Sequence, residues 1–359
     1  MTVSRVAVIG DGVVGLATAF VAADRGLHIS FYAPAIAGAA SPASAGMLAP
    51  SVERTTGEAQ QFGDDSRAAW PRLAERLRNV GVEPPEVRLN GILHVALSEA
   101  DVARLRGRVR GTDAWLDAAA ALALEPALHP ALLGAARFPD DGVVDAPAAI
   151  AALRRAVGAH PRIDLYRSVV ESLDVRAATI GVRSADGVTR TYDSVVLATG
   201  AWSTSLRGLP RLLPIKPLRG ALVAVDAALV QEPVYGPDGH TYILPRRGRT
   251  VIGATSDWVG YDASATAADA ERLIAAAECL VPAVRQAPMS APWAGLRPMT
   301  PDGRPVLGPD PSIPALVYAC GHGRNGFLHA ALTAEVIAGT LLGEPTRDLT
   351  PFSVGRFED

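Results

Sequence analysis

The chain is poor in the residues that several kinds of protein depend on. Of its 359 residues only two are cysteines, Cys279 and Cys320, set far apart. That pattern is neither a disulfide framework nor a metal site, and it fits two free thiols in a reducing cytosol. Lysine occurs once, at Lys216, which removes most routes to Schiff-base catalysis. The net charge is only −3, so neither nucleic acid nor an acidic membrane is an expected partner. No apolar run reaches the roughly 20 residues of a membrane helix, and Ala118–Leu124 is far too short. No charged start with an apolar signal region precedes the first apolar segment. A cytoplasmic protein is expected. No Ser/His/Asp or Cys/His set and no metal-ligand spacing stands out either.

What is present is ordinary globular material, 49% apolar and 20% charged. The length exceeds what one core usually supports, so two domains are expected. An apolar strand from Val3 to Ile9 leads into Gly10-Asp11-Gly12-Val13-Val14-Gly15. Helical spacing runs from Leu16 to Arg25 and Leu27–Tyr32 is the next strand. Further helices are expected over Ala68–Val80 (with Pro71 breaking it near its start), Glu99–Val109, Leu116–Leu124, Asp145–Val157, Ala267–Leu280 and Phe327–Leu342. Strands are expected over Asn90–Leu97, Ile163–Tyr166, Val169–Val175, Ile180–Ser184, Val188–Tyr192, Ser194–Ala198, Lys216–Val225, Thr241–Leu244, Thr250–Gly253 and Val317–Cys320. Strands and helices alternate at both ends, and the middle is richer in strands. The expected fold is mixed α/β (α+β), a Rossmann-like nucleotide domain built from separated segments with an antiparallel-sheet substrate domain inserted. The boundaries are 1–84, 145–214 and 293–359 for the first, 85–144 and 215–292 for the second.

Three glycine-rich turns carry the chemistry. In the first, Gly10 makes the tight turn, Gly12 lets backbone approach a pyrophosphate, and Gly15 lets helix and strand pack closely. The helix that follows offers free N–H groups to the phosphates. The acid expected at the end of the second strand, to hold a ribose, is absent: Ala33 and Pro34 occupy that position. The second turn is Thr199-Gly200-Ala201-Trp202, after a buried strand. The third is Gly321-His322-Gly323-Arg324-Asn325-Gly326-Phe327, leading straight into the last helix, whose positive end would stabilise negative charge on a ligand.

These turns, with Ser41 to Pro50, Tyr242 to Arg246 and Trp293-Ala294-Gly295-Leu296-Arg297-Pro298, stand in an order that resembles the D-amino acid oxidase-like FAD-dependent oxidoreductases. Within that family the chain is most similar to the glycine oxidase branch, the deaminating oxidases of thiamine biosynthesis. The resemblance runs from about residue 3 to about residue 343. It implies non-covalent FAD, with Val13 and Val14 on the phosphate turn and Ala40, Ser41, Ala45, Gly46 and Met47 along the pyrophosphate and ring. Val170 would touch the adenine side, and His322, Gly323, Arg324, Asn325, Gly326, Phe327 and Leu328 would wrap the flavin. Arg297 and Arg324 would face the substrate, with Tyr242 and His240 beside them. The chain departs from the family at Ala33, and at Gly323, where a bulkier residue is usual and a wider pocket is implied.

The residues themselves point the same way. A planar guanidinium grips a carboxylate with two parallel hydrogen bonds, and Arg297 lies in an apolar stretch where it needs an anionic partner. The competing reading is an internal ion pair, for example with Asp302. The activity that the resemblance implies is hydride removal from Cα of a small amino acid (glycine, sarcosine or a D-amino acid) to FAD, giving an oxo acid, ammonia and, with dioxygen as the acceptor the resemblance implies, hydrogen peroxide. A homo-oligomer is expected. The rival readings are a flavin dehydrogenase with another acceptor, a natural-product oxidase of a cyclic or secondary amine, and a flavin-binding protein without catalysis.

Overall fold

A computed structural model describes residues 5–53, 55–176 and 179–358. Six strands form the first sheet, in the order Val306–Pro309, Leu316–Cys320, Ser194–Leu197, Val6–Ile9, Ile29–Tyr32, Ile163–Tyr166. The inner pairings are parallel and only the Val306–Pro309 edge is antiparallel. The central strands are apolar throughout because helices or a second layer cover both faces. One face packs under the helices Val13–Asp24, Gly57–Asn79, Ala146–Ala159 and Gly326–Leu342. The other face meets a three-stranded antiparallel sheet of Val170–Val175, Ile180–Ser184 and Thr189–Tyr192.

The larger sheet has eight strands, in the order Trp293–Met299, Lys216–Val225, Arg249–Gly253, Tyr242–Arg246, Val234–Tyr235, Ile92–Ala96, Gly134–Phe138, Ala114–Asp117. Every pairing is antiparallel except Val234–Tyr235 with Ile92–Ala96. The helix Ala267–Glu278 covers one of its faces and fills the core there with Leu273 and Ile274. Its other face carries Leu222, Leu244 and Ala254 beside Met47 and Tyr242. Among the described residues no helix is long and apolar enough to cross a membrane.

The structure departs from the sequence expectations at several elements. The first strand starts at Val6; Val3 and Ser4 lie outside the described residues. The helix expected from Ala68 begins at Gly57 and carries Pro71 in its interior. Its buried face of Phe62, Ser66, Ala69, Trp70, Leu73 and Leu77 compensates for the backbone bond that proline removes. Leu116 belongs to a strand, Ala114–Asp117, and the helix starts only at Ala118, capped by the Asp117 carboxylate. Trp293–Met299 is a strand not expected from its glycine and proline. It pairs with Lys216–Val225 in the large sheet rather than joining the sheet of the nucleotide turns.

Candidate functional site

A cavity of about 670 Å³ lies between the two sheets. It is lined by Gly10 to Val14, Ala39 to Ser41, Ala43 to Met47, Val169 to Glu171, Ala198 to Trp202, Gly295 to Met299 and Ala319 to Phe327. All three glycine-rich turns therefore open onto one space.

The first turn is built for backbone proximity. Gly10 has φ +115°, and a Cβ there would run into the Ala198 carbonyl of the neighbouring strand end. A Cβ on Gly12 would meet only the Ser41 Oγ, at 3.2 Å. The helix from Val13 starts with no side-chain cap, and the Val13 N–H donates to Ser41 Oγ over 2.9 Å. A helix start left open to a cavity in this way fits an anionic pyrophosphate. The last helix is likewise uncapped at Asn325, and Trp70 fixes its first turn by donating from Nε1 to the Phe327 carbonyl. His322 beside it is buried, its Nε2 paired with Thr333 Oγ1 at 3.1 Å, and burial pushes its pKa down to about 3. It is a neutral imidazole at physiological pH.

Most of the residues named from the sequence line this cavity, including Pro34, Ala40, Ser41, Ala45, Gly46, Met47, Val170, Gly200 and His322 through Phe327. Three do not. Gly15 packs its Cα against the Gly10 carbonyl, so its part is close helix–strand packing. Ala33 packs against the core, and its N–H donates to the Tyr166 carbonyl. Leu328 is buried in the same core. The other face of that strand end is filled by Tyr32, whose ring stacks on Tyr166 and whose hydroxyl meets Tyr192 at 2.8 Å.

At the eight-stranded sheet the cavity is lined by side chains. Arg297 faces Leu218 across the strands, and its guanidinium lies over Gly220, where any Cβ would overlap it. Tyr242 faces Gly253 and its ring covers that glycine in the same way. The two glycines are the floor on which both side chains lie flat. Arg297 Nη1 donates to the Thr255 carbonyl (2.9 Å) and Ser256 Oγ (3.4 Å). Among the described residues Arg297 makes no ion pair. Asp302, its candidate partner from the sequence, is held by Arg304 and Arg356, each at 2.9 Å. Burial pushes the Arg297 pKa down from its ordinary value, as expected of a charge lacking a partner.

Arg324 differs. Its Nε pairs with Glu53 Oε1 at 3.0 Å, and its Nη2 donates to the Tyr235 hydroxyl and the Gly239 carbonyl. Burial opposes its charge, but Glu53 and Tyr235 outweigh that and the net shift is upward. Tyr242 is pushed above the ordinary phenol range by burial, against the pull of Arg297 and Arg324. His240 is exposed at the rim, in a turn held by the Asp238 carboxylate.

Sequence reasoning missed Glu53, Met299, Ser256 and Trp258, all on the cavity. Only Glu53 left a trace, a carboxylate soon after the Ser41 to Pro50 stretch, and nothing in its neighbourhood marks it. The space left by Gly323 is bordered by Met299, whose Sδ stands 3.1 Å from where a Cβ would be.

A family model described as FAD dependent oxidoreductase matches residues 5–340. Glycine oxidase of Geobacillus kaustophilus is 37% identical to the chain, over 98% of the chain and 96% of that protein. The crystal structure of glycine oxidase from Geobacillus kaustophilus superposes with a TM-score of 0.92 at 34% identity, covering 99% of this chain and 100% of that one. Iminodiacetate oxidase from Chelativorans sp. BNC1 superposes with a TM-score of 0.89 at 25% identity, over 97% of this chain and 98% of that one. With its glycine turns converging on one cavity, the chain belongs to the FAD-dependent oxidoreductase family, with FAD as its cofactor.

Proposed function

We propose that the protein oxidatively deaminates a small amino acid, such as glycine, sarcosine or a D-amino acid. The observation that carries this reading is the Arg297 guanidinium, which lies on the cavity without an ion pair. The similarity to glycine oxidases supports it. Gly10, Gly12, Val13, Val14, Ala40 and Ser41 would hold the pyrophosphate, Val170 the adenine side, and Ala45 to Met47, Gly200 and His322 to Phe327 the ring. When bound, FAD would supply the two-electron acceptor for the Cα hydride, with dioxygen as the proposed final oxidant and hydrogen peroxide as its product.

The chain's own part is placement. Arg297 grips the substrate carboxylate with two hydrogen bonds, and the Tyr242 hydroxyl donates a third. Holding that end fixes Cα and its hydrogen, which removes much of the entropic barrier. The neutral amine pushes its lone pair toward Cα as the hydride leaves, and water hydrolyses the imine to an oxo acid and ammonia, or methylamine where the substrate is sarcosine. The bond to FAD is non-covalent in this reading: Cys320 is buried and its thiol is pushed up to about 12 by burial, so it is a poor nucleophile. The same reading expects a cytoplasmic homo-oligomer.

Anaerobic mixing with glycine, sarcosine, D-alanine and D-proline tests the activity. Bleaching of the flavin band by at least one of them, and not by the matching decarboxylated amines, is the expected result. Acid precipitation should leave FAD in the supernatant; colour in the pellet refutes the non-covalent assignment.

A further inference from the structure

The charged groups on the substrate side of the cavity are unevenly matched. Arg297, Arg324, Glu53 and the rim residue His240 line it. Arg324 is already paired with Glu53 at 3.0 Å, whereas Arg297 has only neutral oxygens. Glu53 is no wandering surface acid. Its backbone carbonyl accepts from Arg108 Nη2 at 2.5 Å, and the same guanidinium binds the Ser51 carbonyl. Ser51 in turn is gripped by the buried Asp141, through its N–H and its hydroxyl, both at 3.0 Å. Asp141 is anchored by Arg67 at 2.5 Å. The backbone of Ser51 and Glu53 is therefore anchored by Arg108 and Asp141, and the Glu53 carboxylate beside it meets Arg324.

We propose that Glu53 is a specificity-determining residue: by neutralising Arg324 it leaves Arg297 as the unmatched cation of the cavity among the described residues, and restricts the site to amines bearing a single carboxylate. This rests on the reading that Arg297 binds the substrate carboxylate. A second carboxylate on the substrate would find Arg324 occupied and would face Glu53 across a site of low dielectric, where like charges repel strongly. Selection then comes from a repulsive element as well as an attractive one. Without Glu53 the two arginines would offer a site for a dicarboxylate.

The test uses the FAD-loaded enzyme and two paired sets of probes. Sarcosine is compared with iminodiacetate, and D-alanine with D-aspartate, as substrates. Acetate is compared with malonate as non-reacting ligands, read by the perturbation of the flavin absorbance, so binding is measured without turnover. The wild type should favour the monocarboxylate in each pair. Glu53→Gln should raise the dicarboxylate-to-monocarboxylate ratio of kcat/KM on the order of ten- to a hundredfold, through KM, and tighten malonate relative to acetate. Glu53→Asp keeps the charge and should keep the discrimination. An unchanged ratio in Glu53→Gln overturns the inference, and so does a wild type that binds malonate as well as acetate. Arg297→Ala separates the two readings. If it binds acetate and oxidises sarcosine like the wild type, the carboxylate assignment itself is wrong. If it loses both while Glu53→Gln leaves the ratio unchanged, only the role of Glu53 is wrong.

Discussion

The two sheets meet the cavity with different parts of the chain. The six-stranded sheet presents backbone: glycine turns at Gly10, Gly200 and Gly321, and the starts of two uncapped helices. The eight-stranded sheet presents side chains: Arg297 and Tyr242, lying over Gly220 and Gly253. Backbone recognition tolerates almost any neighbouring side chain but no extra atom at Gly10, where a Cβ would meet the Ala198 carbonyl. Side-chain recognition depends on a few groups and on whatever keeps them flat and unpaired. The first region should therefore fail in cofactor retention, and the second in catalysis with the cofactor still in place.

The sharpest break is Gly10→Ala. The added methyl collides with the Ala198 carbonyl at a φ of +115°, which alanine adopts poorly. The variant should purify without FAD and resist reconstitution, as read from the flavin absorbance against protein. Retained colour would refute the view that this turn governs cofactor binding.

Next in size is Arg297→Ala, which should keep its FAD and lose kcat/KM for the amino acid by a factor on the order of 10²–10³. Decarboxylated amines should lose far less, since they never use the contact. Arg297→Lys keeps the charge but not the fork and should recover little of the loss.

Gly220→Ala should fall between an intact and an absent Arg297. The methyl displaces the guanidinium without removing it, and a loss of about tenfold, carried mainly by KM at normal FAD content, is expected. Steady-state kinetics at full FAD saturation measures it. A variant with wild-type KM would show that the flat placement of Arg297 does not matter.

The smallest effect concerns Ala33, where the sequence lacks the ribose-binding acid. Because Ala33 packs against the core and does not line the cavity, Ala33→Glu should not tighten FAD. It should cost stability by about 1 kcal/mol, the usual size for a polar group forced toward a packed surface. A lower FAD dissociation constant would show that a carboxylate here reaches the ribose after all.

The eight-stranded sheet was the harder half to read. Lys216–Val225 is evident from its apolar residues, and the structure gives those bounds. Trp293–Met299 was not, because glycine and proline are poor strand formers and only pairing with Lys216–Val225 holds them extended. The same limit explains Glu53. A lone carboxylate after a proline and a serine carries no spacing signal, and its place on the cavity comes from Arg108 and Asp141, which are far along the chain.

The sequence by itself determined the nucleotide turns and the first strand and helix, because the backbone demand of a tight turn is local: the φ of +115° at Gly10 is one that glycine adopts readily and other residues do not. Tertiary structure alone decided which arginine is unmatched. Arg297 and Arg324 are equally charged in the sequence, and each lies near glycine. Folding brings Glu53 to Arg324, engages Asp302 with Arg304 and Arg356, and leaves Arg297 with neutral oxygens. Pairing depends on distance in space and on desolvation, neither of which a linear order of residues contains.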